Sequence, residues 1–135
     1  MQRFWIDANI VLRLLTDDPK DQAEKVQRIM ERAQRGEIEL ILNPTVVAEI
    51  LWTLRSVYQF SMREIGSQLI PFLSAEHLQV QERELLISAI ELSMDKNVDF
   101  LDAYLALHAM EQGDRVLTFH QADFRKLPAQ WSVPE

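Results

Sequence analysis

Residues 3–15 read RFWIDANIVLRLL. Up to Ile6 the side chains are aromatic or β-branched, the composition of a strand, and QRFWI (2–6) is read as one. From Asn9 to Thr16 the apolar positions Ile10, Val11, Leu14 and Leu15 return at helical spacing. Asp7 stands at the join, a lone carboxylate inside an otherwise apolar run. Taking an ionised carboxylate out of water costs several kcal/mol unless a partner meets it. Asp7 therefore either caps the helix or awaits something positive.

The strand-then-helix unit recurs along the chain. DQAEKVQRIMERAQRG (21–36) is an amphipathic helix with apolar Ala23, Val26, Ile29, Met30 and Ala33, and Gly36 suits its C-terminal cap. IELIL (38–42) is a second strand, leading into NPTVVAEILWTLRSVY (43–58), a helix with Pro44 in its first turn. SMREIGSQLIPFL (61–73) opens with Ser61 and Glu64 at capping-box spacing. LQVQ (78–81) is a short strand and RELLISAIELSMDKN (83–97) another amphipathic helix. DFLDAYLALHAMEQG (99–113) is a helix ended by Gly113, RVLTF (115–119) a strand, DFRKL a short helical turn and WSV (131–133) a last edge strand. This alternation predicts an α/β fold: one domain over residues 1–135, with a central, mostly parallel sheet flanked by helices on both faces.

Composition narrows the function. Cysteine is absent, which excludes disulfides, thiolate catalysis and cysteine zinc sites. The three histidines, His77, His108 and His120, show no metalloprotease spacing. No apolar stretch approaches the ~20 residues of a membrane span, and the N-terminus lacks the pattern of a secretory signal; a soluble, cytoplasmic protein is expected. With 14 basic and 21 acidic residues the net charge is -7, which argues against nonspecific nucleic-acid binding but not against a nuclease. Acids gathered at a metal site can dominate the charge while a few basic residues hold phosphates.

In parallel sheets, sites form beyond the carboxyl ends of the strands. Asp7 and Asn9 follow the first strand, Asn43 and Pro44 the second, and Thr118 to Asp123 the strand at 115–119. Glu49 sits mid-helix in VVAEILWTL with no basic residue three or four positions away, and is expected to lack an exposed surface unless its stem reaches water. Asp99 and Asp102 share a helix face; the helix dipole accounts for Asp99, but Asp102 heads an apolar stripe. Asp123 is a turn or capping residue, or an acid of a site. Carboxylates collected in one cleft raise one another's pKa, and a hard divalent cation such as Mg²⁺ or Mn²⁺ relieves that repulsion. Such a site suits phosphodiester hydrolysis.

FWIDANIVLRLL, PTVVAEILWTL, VDFLDAYLALHA and VLTFHQADF, in this order and α/β context, resemble the PIN-domain ribonucleases, and among them the compact VapC-type toxins of toxin–antitoxin pairs. The resemblance implies a Mg²⁺- or Mn²⁺-dependent endoribonuclease. It makes Asp7 and Asp102 direct metal ligands, with Glu49, Asp99 and Asp123 orienting bound waters or a second ion. The chain departs from the family pattern T-x-D at His120, whereas TFHQADF matches the length of a T-x-N-x-x-D-F variant and places the fourth acid at Asp123. His120 then contacts substrate or metal-bound water, and Asn9 and Thr118 are supporting polar groups; ordinary capping is the alternative for Thr118 and the preferred reading of Thr45. Arg3, Arg13, Lys20, Arg125 and Lys126 are candidate phosphate contacts only because they flank the acidic motifs, and solvated surface charge is the preferred reading of each one alone. The implied partners are RNA, a cognate antitoxin lying in an apolar groove near Trp5 or Trp52, and a second copy in a homodimer. The competing expectations are a catalytically inactive PIN-like interaction module and, lower still, phosphoryl transfer through Asp7. The last wants a second acid where Asn9 stands, and no glycine-rich phosphate loop exists.

Overall fold

The computed structural model describes Met1–Glu135 and has the expected α/β character, with seven helices and parallel strand pairing. The chain divides into two compact units, Met1–Arg83 and Glu84–Glu135.

The first unit runs β1 (Gln2–Trp5), α1 (Ala8–Thr16), α2 (Lys20–Gln34), β2 (Ile38–Leu42), α3 (Pro44–Ser56), α4 (Met62–Leu73) and β3 (Leu78–Val80). The sheet order is β1-β2-β3, all parallel, with Gln2 opposite Ile38 and Leu40 opposite Leu78. The near-continuous apolar run of IELIL explains why β2 is central. Ile38, Leu40, Ile41 and Leu42 are all buried, as a strand covered on both faces requires. The one polar residue, Glu39, meets Arg3 across the ladder at 2.9 Å, its partner in register. Each fully buried aliphatic side chain contributes about 1.5–3 kcal/mol.

Helix ends follow the local sequence. Asn43 accepts from the Val46 N–H at 2.9 Å and Pro44 opens α3 without losing a hydrogen bond. Ser61 and Glu64 form both halves of a capping box at the start of α4. Along α2 the buried residues Ala23, Val26, Met30 and Ala33 recur every three or four positions, and this stripe faces α1 and β2.

The second unit contains α5 (Arg83–Lys96, beginning at the boundary), α6 (Phe100–Gln112), β4 (Val116–Leu117), α7 (Gln121–Phe124) and β5 (Trp131–Ser132). Helix α5 buries Leu86, Ala89 and Ile90, and its buried Ser93 hydroxyl donates to the Val98 carbonyl at 2.5 Å. Gly113 ends α6 at φ +72°, a left-handed conformation that a side chain would strain. The expected strand at 115–119 shortens to two residues paired in parallel with β5. Arg115 secures that pairing by donating to Gln130 Oε1, the Trp131 carbonyl and Ser132 Oγ at 3.0–3.1 Å. Phe124, 1% exposed, anchors the short α7. No helix of the chain is long and apolar enough to cross a membrane.

Candidate functional site

Three donor groups converge within the second unit. Asp99 is the N-cap of α6, its carboxylate accepting from the Leu101 N–H at 3.0 Å. Asp102 lies one turn inward on the same helix face. After β4, Thr118 donates its N–H to the Ser132 carbonyl at 3.0 Å and accepts at Oγ1 from the His120 N–H at 2.9 Å. This turn redirects the chain into α7, and burial of Phe124 holds the helix in place with Asp123 on it. Asp123 Oδ2 accepts from the Asp99 N–H at 3.3 Å, tying α7 to the first turn of α6.

The His120 imidazole lies between two carboxylates. Its Nδ1 is 2.6 Å from Asp102 Oδ2 and its Nε2 is 3.7 Å from Asp123 Oδ2. The acids are mostly covered and the imidazole half-exposed, with side-chain exposures of 20% for Asp102, 18% for Asp123 and 54% for His120. One ligand atom from each of the three lies within 4.8 Å of the others.

Burial raises the Asp102 pKa above the ordinary aspartate range; contact with His120 opposes the rise, and the charges of Asp99 and Asp123 add to it. Asp102 Oδ2 is also buried with no hydrogen-bond partner. The imidazole approaches it closely, but not along the direction of a ring N–H bond. A buried acceptor left unsatisfied is uncommon and costs about 1–3 kcal/mol. A divalent cation would satisfy that oxygen and neutralise the neighbouring acids together, so this donor set fits a metal.

A family model for the PIN domain matches residues 5–129. The chain belongs to the PIN-domain family. PIN domains are in general metal-dependent nucleases acting on RNA, and the acidic cluster lies within the matched span. A search of curated proteins gave no match.

The remaining sequence-marked residues have different settings in this PIN domain. Asp7 is exposed and caps α1, accepting from the Ile10 N–H at 3.2 Å, so the cap expected as one alternative is realised. Asn9 is exposed beside it. Glu49 corrects an expectation: it is exposed, not hidden. The face of α3 that carries it faces solvent, with Thr45 exposed and Trp52 at 65% exposure, because α3 buries Val47, Ile50, Leu51 and Leu54 instead. The apolar lettering around Glu49 spans two faces of the helix, only one of which enters the core. Asp99 stands next to the cluster with its carboxylate engaged in capping. Asp123 lies within α7 rather than in a loop.

Sequence reasoning gave His120 a role toward substrate or water and missed its position between two acids. The available signal was its placement three residues before Asp123, which a short helix turns into adjacency. Of the basic candidates, Arg3 is paired with Glu39, Arg13 donates to Gln22, and Lys20 is paired with Asp17. Arg125 and Lys126 are exposed immediately after α7.

Proposed function

We propose that this PIN domain is a divalent-metal-dependent endoribonuclease whose centre is built on Asp102, Asp123 and His120. The observation that carries this reading is the buried, unpartnered Oδ2 of Asp102 beside two further donors. Asp7 and Glu49 are assigned to the same chemistry by their match to the family motifs, Asp7 as a ligand and Glu49 as a group orienting water. Bound there, Mg²⁺ or Mn²⁺ would supply Lewis acidity toward a phosphodiester and lower the pKa of a water.

The protein's own part is positional. Asp99 and Asp123 fix the start of α6 against α7 through one hydrogen bond from the Asp99 N–H to the Asp123 carboxylate, which holds Asp102 and His120 at their spacing. Exposed Arg125 and Lys126 attract the phosphate backbone to an otherwise acidic protein. The expected result with purified protein is cleavage of a structured RNA with Mg²⁺ or Mn²⁺ that stops when EDTA is added. Absence of cleavage with any divalent ion sinks the reading.

The physiological role we propose is that of the toxin of a toxin–antitoxin pair, acting in the cytoplasm as a homodimer. In support, the first unit carries a largely apolar cavity of about 430 Å³ whose lining includes Phe4, Trp5, Ile10, Val26 and Ile29, with Asp7 and Lys25 also on its wall. Trp5 is 61% exposed, a large apolar surface suited to an antitoxin segment. The same cavity favours the second reading, an inactive interaction module. Growth arrest on expression, relieved by a small neighbouring reading frame but lost with catalytic substitutions, separates the two.

A further inference from the structure

We propose that His120 is itself a metal ligand, closing a mixed carboxylate–imidazole set with Asp102 and Asp123 that favours Mn²⁺ over Mg²⁺. The inference rests on the metal-centre reading above and adds the identity of the nitrogen donor and its consequence for ion choice.

Three observations carry it. His120 heads α7, yet its side chain caps nothing there; the local turn is held instead by its backbone N–H and Thr118 Oγ1. The ring is therefore not used by the local turn, and it presents one nitrogen toward each acid, at 2.6 and 3.7 Å. Donors bound about 2.0–2.2 Å from one ion lie roughly 3–4 Å apart, so side-chain rotation alone brings the three atoms, now within 4.8 Å, into one shell.

Second, Asp102 Oδ2 accepts no aligned hydrogen bond although the His120 Nδ1 lies 2.6 Å from it. A simple ion pair between a protonated ring and a carboxylate would place an N–H on that oxygen. The contact found does not align a ring N–H with that oxygen, which leaves the oxygen open to a third body. Third, the chemistry selects the ion. Mg²⁺ prefers oxygen donors and retains its waters, whereas imidazole suits transition ions, and Mn²⁺ accepts carboxylate and imidazole together. The same position filled by an oxygen donor would lack that bias.

The test uses the full chain and Mn²⁺ as the probe. Electron spin-echo spectra of the Mn²⁺-loaded protein should show ¹⁴N modulation from a directly bound imidazole. In His120→Asn the modulation should vanish and Mn²⁺ affinity, read by calorimetry, should fall by about 10–100-fold, the range typical of losing a group that holds or orients a metal. Mg²⁺ affinity should change by less than threefold. His120 is half-exposed, and circular dichroism checks that the variant is folded. Mn²⁺ bound without nitrogen coupling, with His120→Asn binding as tightly as the parent, overturns the ligand assignment but leaves the metal centre standing. Failure of the parent protein to bind Mn²⁺ at all overturns the metal centre with it.

Discussion

Two aspartates of this protein stand at the starts of helices, one as a cap and one in a first turn, and have opposite physical situations. Asp7, after β1, is exposed, and its charge is held by the Ile10 N–H at the start of α1. Asp102, in the first turn of α6, is four-fifths covered, with an oxygen that lies 2.6 Å from the His120 ring but accepts no aligned hydrogen bond, and a pKa pushed upward by burial. The first carboxylate is stable as it is, and its local role is already filled. The second is disfavoured by burial, which makes Asp102 the stronger candidate for the proposed chemistry.

Cleavage assays test that contrast most strongly. Asp102→Asn should lower the rate of metal-dependent RNA cleavage by roughly 10²–10³-fold, the range for losing one preorganised electrostatic group, without lowering thermal stability. Full activity in this variant would break the assignment. For Asp7 the two roles are separable, because asparagine caps a helix about as well as aspartate does. Asp7→Asn should keep its urea midpoint but lose cleavage, whereas Asp7→Ala should also cost about 1 kcal/mol of stability. Asp7→Asn with undiminished cleavage would reduce Asp7 to its cap.

Metal and pH sharpen the comparison at a smaller scale. A carboxyl whose pKa is raised on folding binds its proton more tightly in the native state. Its stabilising contribution is therefore full below the ordinary aspartate value of about 3.9 and is lost as pH rises toward the raised value. In Asp102→Asn this loss is absent, so metal-free melting temperatures should fall less between pH 3.5 and neutrality than in the parent. Saturating Mn²⁺ should raise the parent's melting temperature by about 5–10 °C at pH 7. At low pH, where protons compete for Asp102, the shift should be small. An equal shift at both pH values would show that the ion binds elsewhere. The smallest effect concerns Glu49: exposed on α3, Glu49→Gln should change stability by no more than about 0.5 kcal/mol in denaturant titrations. A larger loss would show that the side chain is structural.

Particular residues show how much was legible beforehand. The helices from α1 to α6 begin and end within one or two residues of their sequence signals, because caps, prolines and glycines act through neighbouring backbone atoms. Ser61 with Glu64, Asn43 with Pro44, and Gly113 are examples. The strand expected at 115–119 is only two residues long, because its pairing depends on β5 and on Arg115, fifteen or more residues from its partners. Glu49 is exposed despite its apolar neighbours in sequence, because one-dimensional apolar density does not say which face of a helix meets the core.

The sequence by itself determined the α/β alternation, the parallel pairing and the identity of the acids Asp7, Asp99, Asp102 and Asp123, since periodicity, capping and residue chemistry are local properties. Only the tertiary structure decided which acids are satisfied and which are not. Desolvation, the off-line contact of His120 with Asp102 and the bond from Asp99 to Asp123 depend on segments up to 24 positions apart, brought together because Phe124 must leave water. Burial of one apolar ring thus sets a histidine between two carboxylates, a juxtaposition that no spacing along the chain encodes.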